Sequence, residues 1–320
     1  ATGDYRALVC VFLFGGNDSY NMVVPRSVAE YDVYARSRQN LAVPRDALLP
    51  ITAANPDGAA YGLHPAMPEV QRLFAAGTCA VIANVGPLVR PTTRAQYLDG
   101  SVPLPPQLFS HNDQQDQWQT LKGRAVVRSG WAGRIADALA PGDARLPVNV
   151  SLGGSVSQAV GERTVPFNVG RTNAPEFTGL GTGNALTAAR RAAFEAQLDG
   201  AGAGIHGRAF GAVERRAIGT AAAVNAALAP LATAPAFDTV FPTSGLGQQL
   251  QMVARLIAVR DALQVSRQVF FVATGGFDTH DDQLDDHPLL LADLSASLGA
   301  FQDAVTRMRV ADRVVAFTES

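Results

Sequence analysis

Four short polar clusters hold most of the chemistry available to this chain, and each follows an apolar or Pro-rich run. Gly15-Gly16-Asn17-Asp18-Ser19 follows the run Arg6–Phe14, and Thr274-Gly-Gly-Phe-Asp278-Thr-His280-Asp-Asp follows Gln268–Ala273. Ser110-His111-Asn-Asp-Gln-Gln-Asp116 follows a Pro-rich loop, and Thr318-Glu319-Ser320 follows Arg313–Phe317. Carboxylates and imidazoles are ligands for hard and borderline divalent cations, so the set suits Zn, Mn, Mg or Ca. In open α/β sheets ligands bind beyond the carboxyl ends of the strands. Asp18, Asp278 and His280 are therefore expected at one edge of one sheet, within about 12 Å, as a shared metal site with bonds of about 2.0–2.6 Å requires.

Each cluster also has a simpler role. Asn and Asp after Gly-Gly serve tight turns. Asp281, Asp282, Asp285 and Asp286 read as a solvated acidic stretch beside the N-terminus of the next helix. His64 and His287 each precede a Pro at a helix start, where capping or packing suffices; Trp118 and Trp131 read as packing residues, and His206 receives no role. A different chemistry would use Ser19 as a serine-esterase-like nucleophile with His280 or His287 as base. No Gly-Lys-Ser/Thr phosphate loop, dinucleotide fingerprint or Gly-x-Ser-x-Gly elbow is present.

The elements that must position these residues follow from hydrophobic patterning. Arg6–Phe14, Thr78–Val85, Gln268–Ala273 and Arg313–Phe317 are continuous apolar runs, the form of parallel strands buried on both faces. Ser27-Val-Ala-Glu30 reads as a capping box opening a helix toward Arg36. Helical stripes run through Met67–Phe74, closed by Gly77, through Leu246–Ile257 and through Leu290–Met308. Alternating strands and helices predict an α/β fold, a mostly parallel central sheet with helices on both faces. Residues 147–169 read as a hairpin outside that sheet, and 172–245 as an Ala/Gly-rich lobe inserted in a single domain spanning 1–320.

Composition narrows the function. The 320 residues are 47% hydrophobic and 17% charged with net charge −2, and the only lysine is Lys122. That apolar share belongs to a packed protein, and the balance of charge offers no footprint for nucleic acid. The longest apolar stretch near either end, Ala7–Phe14, is far shorter than the roughly 20 residues of a membrane-spanning helix. Cys10 and Cys79 lie within apolar runs and are expected buried and reduced. The start Ala1-Thr2-Gly3 has the small residues that a signal peptidase leaves.

Phe14-Gly-Gly-Asn-Asp-Ser-Tyr-Asn-Met-Val-Val-Pro25, Tyr61-Gly-Leu-His-Pro65, Ser110-His111 with Gln115-Asp116, Gly275-Gly-Phe-Asp-Thr-His280 and Val314-Val-Ala-Phe-Thr-Glu-Ser320 together resemble the bacterial domain of unknown function 1501 family, in the expected order along nearly the whole chain. That family looks like a branch of the alkaline phosphatase and sulfatase superfamily. The resemblance implies export by the twin-arginine route, a periplasmic or secreted location, and metal-dependent hydrolysis of phosphate or sulfate esters, whether small or carried on a polymer. Residue by residue it implies Asp18, Asp278 and His280 as metal ligands, Glu319 as a substitute for an absent Asp-His pair, and Ser110 with His111 as nucleophile or proton carrier. Family members usually continue past Phe-Thr-Glu-Ser into an Asp-His-Gly segment. The resemblance therefore implies further ligands beyond residue 320, and weak or no metal binding with little esterase activity in this 320-residue form. The rival expectation is a binding protein that keeps the hydrolase fold without catalysis.

Overall fold

Arg6–Leu13 forms β1, the strand around which the chain is arranged. The computed structural model describes residues 4–55, 57–125, 127–139, 146–177, 179–180, 183–200 and 204–320. After β1 come α1 (Ser19–Met22), β2 (Val23–Pro25), α2 (Val28–Arg38), β3 (Leu49–Ile51), β4 (Tyr61–Leu63), α3 (Pro68–Ala75), α4 (Arg94–Asp99) and α5 (His111–Thr120). The second half holds α6 (Trp131–Leu139), β5 (Asn149–Ser151), β6 (Phe167–Asn168), α7 (Ala185–Gly200), α8 (Ile205–Leu228), α9 (Gly245–Ala258), β7 (Arg267–Thr274), α10 (Gln283–Arg307) and β8 (Val314–Glu319).

The main sheet has the order β6-β5-β7-β1-β8, and every pairing in it is parallel. Alternate residues of β1 serve different cores, as the two-residue period of a strand demands. Val9, Val11 and Leu13 join Leu250, Val253 and Ile257 of α9 and Leu291 and Leu294 of α10. On the other side Leu8 packs with Ala132 and Ala136 of α6, while Cys10 and Phe12 pack with Val156 and Phe271. The fold is thus α/β with a parallel central sheet and helices. A second, antiparallel sheet, β2-β4-β3, carries the chain from α1 to α3. α7 and α8 pack on each other, and Ala221, Val224 and Leu228 of α8 join the large core. Among the described residues no helix is long and apolar enough to cross a membrane.

Three local expectations are corrected. Thr78–Val85 forms no strand; Ile82 is 81% exposed, and Cys79 is half-buried rather than buried. A strand exists only through a ladder, and both sides of β1 are already taken, by β7 and β8. Both cysteines are free thiols. Residues 147–169 make no separate hairpin, because β5 and β6 join the main sheet in parallel through β7. Gly153 lies against the Phe271 ring and Gly154 turns at φ 86°, which allows the tight reversal after β5. Ser27 precedes α2 but makes no side-chain cap, since its hydroxyl accepts from the Ala60 N–H instead. The capping box occurs at Thr93 and Gln96, opening α4.

Close packing behind α6 generates a test. A Cβ on Gly133 would stand 2.0 Å from the Val160 carbonyl oxygen. In an exposed helix Gly→Ala stabilises by roughly 0.5–1 kcal/mol, but here overpacking dominates. Gly133→Ala is expected to lower stability by about 1–3 kcal/mol, read as a lower denaturant midpoint; a raised midpoint would contradict the packing.

Candidate metal centre

The loops after β1 and β7 meet because their strands run in register, with Leu13 beside Thr274. Phe14 N–H donates to the Thr274 carbonyl at 2.9 Å, and Phe277 N–H donates to the Phe14 carbonyl at 3.2 Å. Gly15, at φ 110°, lets these backbones touch: a Cβ there would lie 2.4 Å from the Asp278 nitrogen. Phe277 is buried, and its ring anchors the loop from below, so that Asp278 emerges at the surface.

Asp278 is shared by two histidines. His280 Nε2 lies 2.7 Å from Asp278 Oδ1, and His111 Nε2 lies 3.6 Å from Asp278 Oδ2. One ligand atom from each of the three lies within 4.8 Å of the others, and no other group of three His, Cys, Asp or Glu is so close among the described residues. The side chains are 47–77% exposed, open to solvent on one side. Two imidazole nitrogens and one carboxylate form a donor set that suits Zn or Mn with a position left for water or substrate. His111, expected beside the nucleophile, thus belongs with Asp278 and His280. The missed signal was helical: His111 is the first residue of α5, held by the turn that Ser110 caps.

Ser110 has a defined local role. Its Oγ accepts from the Asp113 N–H at 3.4 Å and donates to Asp113 Oδ2 at 2.6 Å. At the far end of α5, Lys122 is exposed in the loop after Leu121, whose left-handed backbone ends the helix.

Asp18 sits in a different set of contacts. Its Oδ2 is met by the Arg38 guanidinium and the Gln283 amide nitrogen. Next to it, Asn17 Oδ1 is 3.0 Å from His287 Nε2. Ser19 is exposed at the start of α1, and no hydrogen bond joins its hydroxyl to His280 or His287 among the described residues. His64 and His287 are both buried, with rings 5.9 Å apart and edge-on. Burial, reinforced by the other ring, holds His64 neutral, its pKa lowered to about 4. Burial also lowers His287, against the opposing pull of Asp18. Neither histidine caps a helix end: His287 lies within α10, followed by Pro288 in the second turn, whose missing N–H takes one bond from the helix ladder.

Glu319 ends β8 opposite Phe12, on the face that also carries Cys10. Among the described residues its Oε2 has no hydrogen-bond partner. Burial pushes its pKa from 4.5 up to about 7, and burial likewise pushes the neighbouring Cys10 thiol up. A carboxyl raised on folding contributes stability that is fully present below 4.5 and lost as pH rises through about 7. His64 acts with the opposite sign, contributing above 6.5 and failing as pH falls toward 4. Comparison with a neutral isostere therefore isolates the carboxyl. Glu319→Gln is expected to gain on the parent protein by about 1–3 kcal/mol between pH 5 and pH 8 in denaturant melts; a constant difference across that range would refute the assignment.

No curated protein and no solved structure matches the chain. A family model matches residues 5–319, from the residue before β1 to the last residue of β8. It includes every residue of the centre, and by it the chain belongs to the family described as "Protein of unknown function (DUF1501)".

Proposed function

We propose that the chain is a metal-dependent hydrolase of phosphate or sulfate esters, working at His111, Asp278 and His280. The observation that carries this reading is the convergence of three ligand atoms within 4.8 Å at the carboxyl end of a parallel sheet. A divalent cation held there would polarise an ester oxygen and lower the pKa of an attacking group. His111 then serves as a ligand, and Ser110 is the hydroxyl next to it in sequence. Its hydrogen bond to Asp113 supplies a carboxylate positioned to take the hydroxyl proton. Asp18 orients the loop through Arg38 and Gln283.

One observation favours the rival reading, a binding protein without catalysis. Ser110 already caps α5, a role that needs no chemistry. The two readings part experimentally. On the hydrolase reading, isothermal titration with zinc or manganese gives one saturable site, Asp278→Asn weakens it at least tenfold, and an aryl phosphate or aryl sulfate is cleaved only with metal present. Ser110→Asn, which removes the hydroxyl but can still cap α5 and hold His111, should then lower turnover while leaving metal affinity unchanged. Metal binding without cleavage would support the binding protein, and absence of metal binding would overturn the centre itself.

A further inference from the structure

Behind the loop that carries Asp278, a cleft of about 270 Å³ opens between the turn after β4, the segment Leu41–Pro44 and the first turns of α10. No Asp, Glu, Lys or Arg lines it. Its apolar walls include Leu41, Val43, Pro44 and Leu284, and its polar lining is confined to Asn21, His64, Gln283 and His287.

Most of that polar lining is already engaged. Asn21 donates to the Leu41 carbonyl at 2.8 Å and accepts from the Tyr34 hydroxyl at 2.7 Å. The Gln283 amide nitrogen is held by Asp18, and His287 Nε2 by Asn17. His64 differs. Its Nδ1 accepts the Ala66 N–H at 3.1 Å, which places the proton of the neutral ring on Nε2. His64 is only 6% exposed, and no protein group among the described residues accepts from that Nε2–H. That nitrogen is not among the enclosed side-chain atoms left without a partner, so its N–H is open to the cleft, where water or a ligand oxygen can accept from it.

We propose that this cleft is a binding site for a small uncharged organic ligand: a single-ring apolar body bearing a carbonyl oxygen that accepts from His64 Nε2–H. The volume lies just below the roughly 300–1,000 Å³ of drug-sized pockets, which limits the body to about one ring. The absence of any cationic lining residue excludes an anionic partner, because a desolvated charge without a countercharge is expensive. The site stands apart from the metal reading, since neither His111, Asp278 nor His280 lines the cleft.

The test is a titration of benzamide into the full chain with labelled histidines, followed by NMR and run with and without a chelator. Benzamide is expected to shift the His64 imidazole resonances saturably in both conditions. Ethylbenzene, which lacks the acceptor, should bind at least tenfold more weakly, and benzoate should produce no saturable shift. His64→Gln serves only to assign the resonance, so the outcome does not depend on how that variant folds. Absence of a saturable benzamide shift would overturn the site. Equal binding of ethylbenzene would overturn the role of Nε2–H, and binding of benzoate would overturn the choice of an uncharged ligand.

Discussion

The close approach of two backbones at Gly15 is the constraint on which the polar edge of this protein depends. β1 and β7 run parallel and in register, so the loops leaving them must emerge side by side. They can touch only because residue 15 has no Cβ and accepts a positive φ, since any side chain there would strike the Asp278 backbone. Phe277 then packs inward against the His287 ring, 6.4 Å away, while the next residue turns outward. One dipeptide therefore sets both sides of the edge. Its aromatic half supports the buried histidines, and its acidic half supports the exposed ones.

The two carboxylates of these adjoining loops consequently meet different neighbours. Asp18 is 14% exposed and neutralised by Arg38, which lowers the cost of enclosing its charge. Asp278 is about half exposed and faces two imidazoles that are themselves open to solvent. A fixed guanidinium makes the first a structural ion pair. Exposed, displaceable partners make the second the one that a cation could compete for.

Much of this arrangement was legible in the sequence, and the failures have physical reasons. The apolar runs at β1 and β7 and the stripes of α3, α9 and α10 bury continuous surface, so composition and period mark them directly. β8, by contrast, is an edge strand with Val315 58% exposed and not, as its apolar run suggests, a strand buried on both faces. Thr78–Val85 has the same composition, but strand formation is a property of a pair of segments and no partner edge was visible. β5 and β6 are three and two residues long, too short to imprint a period. Asp278 and His280 were readable because they follow a strand directly. His111 carries no helical signal because Asn, Asp and Gln dominate α5, whose helical state rests on the Ser110 cap more than on an apolar face. Arg38 gave no signal at all, since its partner Asp18 lies 20 residues away beyond two elements.

The lone lysine has a practical corollary. Lys122 lies just past the end of the helix whose first residue is His111. The helix spans roughly 14 Å at 1.5 Å per residue. An amine-reactive fluorophore or spin label therefore has a single side-chain target, on a rigid rod of known length ending at the proposed ligands. Paramagnetic Mn at the triad would broaden or quench such a reporter by distance alone. The chain thus carries its own ruler for locating an ion, with no engineered cysteine and no substitution near the loops it would measure.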